Sequence, residues 1–137
     1  MDVVPSWDEY FMEVAKAVSK RSKDPATKVG ALIVDQNKHI IGTGYNGMPV
    51  GSVETVELWQ RPVKYQYVIH SEANAINHLT TSAKNCTIYS TMFPCPSCSQ
   101  LIAASGIKRV VYLDNKYDNE DSRNIFKTFN INLEQLK

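Results

Sequence analysis

The sequence predicts an α/β fold: a three-layer α/β/α sandwich around a mixed five-stranded sheet. Two neighbouring runs of β-branched and aliphatic residues near the N-terminus indicate a hairpin, and helical and strand-like segments alternate after a long loop. Strands separated by helices pair in parallel through right-handed crossovers. We expect a single domain over residues 1–137, because a chain of this length buries one core but not two.

The first helix is predicted by a capping box and by apolar spacing. Ser6 is followed three residues later by Glu9, and apolar residues then recur at helical intervals. This helix should end before Asp24-Pro25, since proline interrupts helical hydrogen bonding. The two strands of the hairpin are predicted at 29–35 and 40–45.

A long loop separates the hairpin from the remaining elements. The periodic pattern breaks up from residue 46 to about 66, and a loop of this length in a compact domain is usually functional. Further helices are predicted at 71–79, from Pro96 to a stop at Gly106, and at 120–129. The remaining strands are predicted at 86–90, 109–113 and 130–133.

The most informative feature is a set of metal-type ligands at two predicted helix starts. His70-Ser71-Glu72 opens one helix, and Pro94-Cys95-Pro96-Ser97-Cys98 opens the next. An imidazole and two thiolates suit zinc, and the N–H groups of a helix N-terminus favour the thiolate form. The sequence therefore predicts that His70, Cys95 and Cys98 hold one Zn²⁺. Three protein ligands leave the fourth tetrahedral position for water, as in catalytic sites.

Glu72 has a separate predicted role. It lies two positions after His70 and is therefore displaced around the helix from a zinc-binding imidazole. We expect Glu72 to be a catalytic proton carrier and not a ligand. The pairing of H-x-E with P-C-x-x-C is an established signature of zinc-dependent nucleobase deaminases, and the interpretation rests on that match as well as on ligand chemistry.

Two other interpretations of the cysteines stay open. A Cys-x-x-Cys pair alone could be redox-active, and a closed structural zinc site could recruit Cys86 or His78 as a fourth ligand. The redox interpretation leaves His70 and Glu72 unexplained. His78 lies eight residues after His70, outside the usual ligand spacing of about 3–5. The spacing therefore favours catalytic zinc.

The composition limits the classes of partner and the cellular compartment that we expect. Lys and Arg number 15 against 14 for Asp and Glu, so the net charge of +1 gives no electrostatic footprint for a polynucleotide. The first residues lack a basic and apolar leader, and no apolar run is long enough to span a bilayer. Three cysteines without disulfide-framework spacing suit a reducing cytosol. We expect a cytoplasmic protein that binds neither membrane nor polynucleotide.

Beyond the zinc motif, the sequence resembles the dCMP (deoxycytidylate) deaminase family, one of the cytidine deaminase-like zinc deaminases. The resemblance runs from about Trp7 to Tyr117. It is carried by Ser22-Lys23-Asp24-Pro25, Val29-Gly30-Ala31, Gly44-Tyr45-Asn46-Gly47-Met48-Pro49 with Gly51, Lys64-Tyr65, and His70-Ser71-Glu72-Ala73-Asn74-Ala75-Ile76.

The resemblance implies hydrolysis of dCMP to dUMP and ammonia, which supplies dUMP for thymidylate synthesis. It also implies a homohexamer activated by dCTP and inhibited by dTTP, with Mg²⁺ accompanying the triphosphate effector. Ser52-Val53-Glu54-Thr55 departs from the family's more acidic, often cysteine-containing stretch, in the region where the family binds its effector. This change is compatible with altered regulation or with dCTP as a further substrate.

The resemblance also assigns contacts to a deoxycytidine nucleotide. Asn46 is expected at the sugar and base, and the backbone N–H of Ser71, which stands where alanine is more usual, at the base edge. Ser22, Lys23 and Tyr117 are expected at the 5′-phosphate. Weaker candidates for the phosphate are Arg21, Lys28 and Lys64. The plainer interpretations, a solvated lysine and a turn-forming asparagine, stay open.

Other proteins could share the zinc motif. Deaminases of free cytidine, of tRNA adenosine or of pterin- or flavin-type precursors are the nearest alternatives, and the loop from Gly44 to Pro49 favours dCMP among them. The non-enzymatic alternative is a binding module stabilised by a closed zinc site, which would differ in having a fourth protein ligand.

Overall fold

The computed structural model describes residues 3–137, which contain four α-helices, two short 3₁₀ helices and five strands. None of these helices has the length and apolar character needed to cross a bilayer. In chain order the elements are α1 (Trp7–Ser19), β1 (Gly30–Val34), β2 (Ile40–Tyr45), the 3₁₀ helices Glu57–Trp59 and Val63–Gln66, α2 (Ser71–Asn77), β3 (Thr87–Met92), α3 (Pro96–Ala104), β4 (Arg109–Asp114), α4 (Glu120–Thr128) and β5 (Asn132–Gln135).

The strands form one mixed sheet in the order β2-β1-β3-β4-β5. β1 pairs antiparallel with β2, with Gly30 opposite Tyr45, and it pairs antiparallel with β3 on its other side. β3, β4 and β5 run parallel to one another, as crossovers through helices require. The predicted hairpin and the predicted parallel strands are both confirmed.

Helices cover both faces of the sheet, so the predicted three-layer arrangement is also confirmed. The buried face of α1 packs against one side of the sheet, and α2, α3 and α4 pack against the other. The core under α1 consists of Phe11, Met12, Ala15, Leu32, Val34, Tyr89 and Val111. The core on the opposite face includes Ile33, Ala75, Ile88, Ile102, Val110 and Phe126.

Local chemistry explains where the helices begin and end. Ser6 accepts a hydrogen bond from the Glu9 backbone N–H at 3.1 Å and donates its own backbone N–H to the Glu9 carboxylate, which completes the capping box. Pro96 occupies the first position of α3, where its missing N–H has no helical partner to lose. Gly106 follows α3 with a φ of +89°, a conformation that glycine adopts without steric cost.

The structure differs from the sequence prediction in the long loop and at the last strand. Two 3₁₀ turns lie between residues 57 and 66, where no periodic pattern predicted a helix. β5 begins at Asn132, because Asn130 adopts a φ of +56° and the Ile131 N–H bonds back to the Phe126 carbonyl at 2.8 Å. β5 therefore begins two residues later than the strand predicted at 130–133.

A glycine sets the distance between α2 and the sheet. A Cβ at Gly44 would lie 2.3 Å from the Ser71 carbonyl oxygen and 2.4 Å from the Ala75 nitrogen. The backbone of α2 therefore rests on β2 with no side chain between them. This contact fixes how deep the first turn of α2 sits, and that turn carries His70 and Glu72.

Candidate active site

The two helix starts identified in the sequence meet in the structure. His70 is the N-cap of α2, Cys95 is the N-cap of α3, and Cys98 lies in the first turn of α3. The His70 Nδ1 atom is 3.3 Å from the Cys95 Sγ atom and 3.5 Å from the Cys98 Sγ atom, and all three donor atoms lie within 4.8 Å of one another. Tetrahedral zinc with bonds of about 2.0–2.3 Å requires donors about 3.3–3.8 Å apart, so the set fits the ion.

Hydrogen bonding among the donors shifts their protonation. The hydrogen bond from the Cys98 thiol, together with His70 and the Cys98 backbone N–H, outweighs burial and lowers the pKa of Cys95 to about 4. The same hydrogen bond, with burial, raises the pKa of Cys98. Bonding to Cys95 raises the pKa of His70. The cluster thus favours a thiolate, the form of cysteine that binds metal.

Glu72 lies buried beside this cluster in the first turn of α2, with 5% of its surface exposed. Burial raises the pKa of its carboxyl, and the Ser71 hydroxyl, which donates a hydrogen bond to Glu72 Oε1 at 2.5 Å, opposes that shift. A carboxylate with a raised pKa is a stronger base than an exposed one, which favours acceptance of a proton. The arrangement therefore suits proton transfer next to a metal site.

A cavity of about 580 Å³ opens onto the metal-type donors, a size typical of small-molecule sites. His70, Ser71, Glu72 and Cys95 line one side of it. The structure also brings the predicted contacts Asn46 and Tyr117 to its wall. Apolar and charged lining comes from Val29, Val68, Phe93, Arg61 and Lys64.

Asn46 bonds mainly to the protein itself. Its Nδ2 donates to the Thr27 carbonyl at 2.8 Å, and its Oδ1 accepts from the Val29 backbone N–H at 2.8 Å. A longer contact of 3.4 Å joins Nδ2 to Asp24. The amide therefore fastens the loop before β1 to the end of β2, and Oδ1 retains one lone pair for a further donor.

Two of the predicted phosphate contacts lie outside this cavity. Ser22 is buried, donates its hydroxyl to the Asn46 carbonyl at 2.8 Å, and accepts from the Asp24 N–H at 3.2 Å. Lys23 forms an ion pair with Glu54 and lines a second cavity of about 230 Å³, next to the loop around Gly47. The structure does not bring their side chains to the cavity that contains Glu72.

Lys64, a weaker candidate in the sequence, is buried at the cavity wall. Its Nζ donates to both carboxylate oxygens of Asp24, at 2.9 and 3.0 Å. Burial would raise the pKa of Asp24, but the bond from Lys64 and the N–H groups of Ala26 and Thr27 outweigh it and lower that pKa. The positive charge of Lys64 is therefore already paired within the protein.

Sequence reasoning missed Arg61 and Asn119 at the cavity. Arg61 is exposed at its edge and, in the range 3–137, has no carboxylate within 4.0 Å. No periodic pattern predicted the path of the loop that carries it. Asn119 caps α4 by accepting from the Ser122 N–H at 2.7 Å, and an asparagine before an acidic first turn was a signal available in the sequence.

Comparison with known proteins identifies relatives over most of the chain. The family described as the cytidine and deoxycytidylate deaminase zinc-binding region matches residues 5–114. The chain is 46% identical over 122 residues to the deoxycytidylate deaminase of Homo sapiens, covering 84% of this chain and 68% of that protein. It is 39% identical over 122 residues to the deoxycytidylate deaminase of Mycobacterium phage D29, covering 79% and 94%.

A solved structure shows the same fold. The dCMP deaminase of cyanophage S-TIM5, crystallised with dCMP and dUMP, superposes with a TM-score of 0.81 at 29% identity, covering 98% of this chain and 100% of that one. The fold, the match to the family and the sequence identity agree with the resemblance that the sequence predicted. The chain belongs to the zinc-binding cytidine and deoxycytidylate deaminase family of enzymes.

Proposed function

We propose that the protein is a zinc-dependent deaminase that hydrolyses dCMP to dUMP and ammonia. The observation that carries the proposal is a cluster of three zinc-type donors, two of which line a nucleotide-sized cavity together with a buried carboxyl. The relative crystallised with dCMP and dUMP supports the substrate, as do the curated relatives named deoxycytidylate deaminase. The product dUMP is the precursor for thymidylate synthesis.

His70, Cys95 and Cys98 would hold the zinc ion. One imidazole and two thiols are a donor set that zinc prefers, and they match the zinc-binding region of the family. Zinc in such a site supplies a Lewis acid that makes water nucleophilic near neutral pH. Only three protein donors meet in the described residues 3–137, which favours a catalytic over a closed structural site.

Glu72 carries the protons of the reaction. Its carboxylate accepts a proton from the attacking water and delivers it to N3 of the cytosine ring, while the water oxygen bonds to C4. It then takes the second proton from the oxygen now bonded to C4 and transfers it to the amino group, the C–N bond breaks, and ammonia leaves a uracil ring with a C4 carbonyl. The hydrogen bond from Ser71 holds the carboxyl in place for both transfers, and the Ser71 backbone N–H meets the base edge.

The 5′-phosphate is recognised at the cavity edge by Arg61 together with Tyr117. A guanidinium suits a phosphate because its N–H groups match two phosphate oxygens at once. Arg61 has no competing carboxylate in the described chain, whereas Lys23 and Lys64 are both paired to acidic side chains. Asn46 contacts the sugar, where its remaining Oδ1 lone pair accepts from a hydroxyl, and thereby helps to orient the base.

Ammonia release from dCMP, dCTP, CMP, deoxycytidine and cytosine tests the proposal. We expect the highest kcat/KM for dCMP, loss of turnover after chelation, and recovery on adding zinc. Equal kcat/KM for deoxycytidine and dCMP would contradict phosphate recognition, and full turnover by metal-free protein would contradict the zinc requirement. The dCTP arm decides whether a triphosphate is also a substrate.

The family resemblance extends the proposal to regulation, assembly and cellular location. We infer a cytoplasmic homohexamer in which dCTP activates and dTTP inhibits, each with Mg²⁺. The second cavity, between Lys23 and the loop from Gly47 to Ser52, is the place to look for an effector. Saturation curves for dCMP with and without each triphosphate, and sedimentation of the purified protein, measure these properties directly. Hyperbolic curves unchanged by either nucleotide would argue against regulation.

A further inference from the structure

The start of α4 holds the peptide that precedes Cys95. The Pro94 carbonyl accepts a hydrogen bond from the Ser122 hydroxyl at 3.0 Å and another from the Asn119 Nδ2 at 3.3 Å. Ser122 has no exposed surface, so its hydroxyl is committed to this contact. Neither side chain has a part in the proton transfers assigned to Glu72.

The next peptide is held from within α3. The Cys95 carbonyl accepts from both the backbone N–H and the hydroxyl of Ser99, each at 2.9 Å. The Cys95 Sγ accepts from the Cys98 N–H at 3.5 Å. The backbone of Cys95 is therefore fixed on both sides, by its own helix after it and by α4 before it.

Asn119 and Ser122 also fix each other. The Asn119 Oδ1 accepts from the Ser122 N–H at 2.7 Å, and its Nδ2 donates to the Tyr117 carbonyl at 3.1 Å as well as to Pro94. Asn119 and Tyr117 both line the main cavity. The short turn from Tyr117 to Ser122 therefore connects the wall of the cavity to the backbone next to Cys95, one of the three candidate zinc ligands.

We propose that Asn119 and Ser122 are positioning residues that aim the Cys95 thiolate at the metal. This inference rests on the proposed function, because it requires Cys95 to be a zinc ligand. A tetrahedral site tolerates ligand displacements of only about 0.5 Å, and groups that orient a ligand without touching the metal typically change its affinity about 10–100-fold when removed. Loss of the α4 contacts frees the Pro94–Cys95 peptide and should weaken zinc binding by that amount.

Zinc affinity, measured by competition with a chromogenic chelator, tests the inference without relying on turnover. We expect Ser122→Ala to bind zinc about 10-fold or more weakly than wild type. Ser105→Ala is the matched control, since the Ser105 hydroxyl also donates to a carbonyl, that of Ile102 at 2.7 Å, but within α3 and away from the donors. Its zinc affinity should equal that of wild type.

Asn119→Ser separates positioning from helix capping. Serine keeps an oxygen that can cap α4 but is too short to replace the Nδ2 donor. We expect weaker zinc binding in this variant with little change in the melting temperature of the metal-free protein. Asn119→Ser also decides the question if Ser122→Ala does not fold. In the cobalt-loaded variants, we expect weaker thiolate-to-cobalt charge-transfer absorption in the near ultraviolet, which is the spectroscopic sign of a displaced Cys95.

The outcomes separate this inference from the function on which it rests. Wild-type protein that binds no zinc would overturn the proposed function, and the positioning role with it. Wild-type protein that binds zinc, with Asn119→Ser and every folded Ser122 variant binding it equally well, would overturn only the positioning role. A variant with lower stability and unchanged zinc affinity would also overturn only the positioning role, because it would show that the residue is purely structural.

Discussion

Glu72 is the residue whose chemistry a single substitution isolates best. In Glu72→Gln the side chain keeps its size and can still accept from Ser71, but it cannot carry a proton. General acid–base catalysis is worth about 10²–10⁴-fold in rate, and the proposed mechanism assigns two transfers to this residue, so we expect kcat to fall by at least 10²-fold. Steady-state deamination of dCMP and zinc content are measured on the same sample.

The alternative role for Glu72 is helix-start stabilisation. A carboxylate there contributes less than about 1 kcal/mol and leaves the rate unchanged. A zinc-loaded Glu72→Gln enzyme that keeps more than about a tenth of the wild-type kcat would contradict the proton-carrier role, because even modest acid–base catalysis exceeds that factor.

The sequence and the structure favour different residues for recognition of the 5′-phosphate. The sequence favoured Lys23, but the structure pairs it with Glu54 and leaves Arg61 at the cavity that contains Glu72. We expect Arg61→Ala to raise KM for dCMP about 10-fold or more and to leave deoxycytidine kinetics unchanged, because a charge-assisted contact is worth about 1.5–3 kcal/mol. Lys23→Ala measured in parallel is the comparison. A larger effect of Lys23→Ala on KM would favour the original assignment.

The contact between β2 and α2 determines how deep the first turn of α2 lies. A methyl group at Gly44 would collide with backbone atoms of Ser71 and Ala75, so Gly44→Ala must push α2 away from the sheet. We expect a loss of about 1–3 kcal/mol in unfolding free energy, the usual cost of overpacking. We also expect a reduced kcat, since His70 and Glu72 move with α2.

Gly47→Ala is the matched control for that prediction. A Cβ at Gly47 would approach the Tyr45 ring no closer than 3.4 Å, an ordinary contact. Chemical denaturation and dCMP kinetics are compared for the two variants. Equal stability and activity in Gly44→Ala and Gly47→Ala would show that α2 tolerates displacement from the sheet.

Elements with strong local signals were predictable, and contacts made through the long loop were not. The capping box at Ser6 and the proline at position 96 are local chemistry, and they placed α1 and α3 correctly. The donors His70, Cys95 and Cys98 were recognisable because their types and spacing are unusual together. Arg61 reaches the cavity through 3₁₀ turns set by tertiary packing, so no local pattern could have indicated it.

Arg109 joins three elements of the fold. It bonds Asp8 of α1 at 2.7 Å and Glu134 of β5 at 2.6 Å from its own position in β4. The hydrogen bonds from Arg109 lower the pKa of Asp8 and of Glu134 below their usual values of 3.8 and 4.5. A lowered pKa in the folded state contributes stability above the ordinary pKa and loses it as the pH falls.

We therefore expect the unfolding free energy to decrease below about pH 4.5 as these carboxylates gain protons. Arg109→Met should lower stability at pH 7 and flatten this acid dependence, while Arg21→Met, at an exposed arginine, should leave both unchanged. The groups are partly exposed, so the effect is modest, about 1 kcal/mol for each ion pair. Denaturation at several pH values measures it, and parallel curves for wild type and Arg109→Met would contradict the network's role.

The separation of the donors along the chain has a consequence for how long the protein survives. His70 lies 25 residues before Cys95, and the two donors come together in the folded chain at the starts of the two helices that flank β3 along the chain. An ion bound by both therefore favours the folded chain, and each tenfold rise in free zinc above its dissociation constant adds up to about 1.4 kcal/mol to stability. With zinc bound as proposed, we expect chains made when zinc is scarce to unfold more often and to be degraded sooner, so that metal supply affects the amount of the protein as well as its rate.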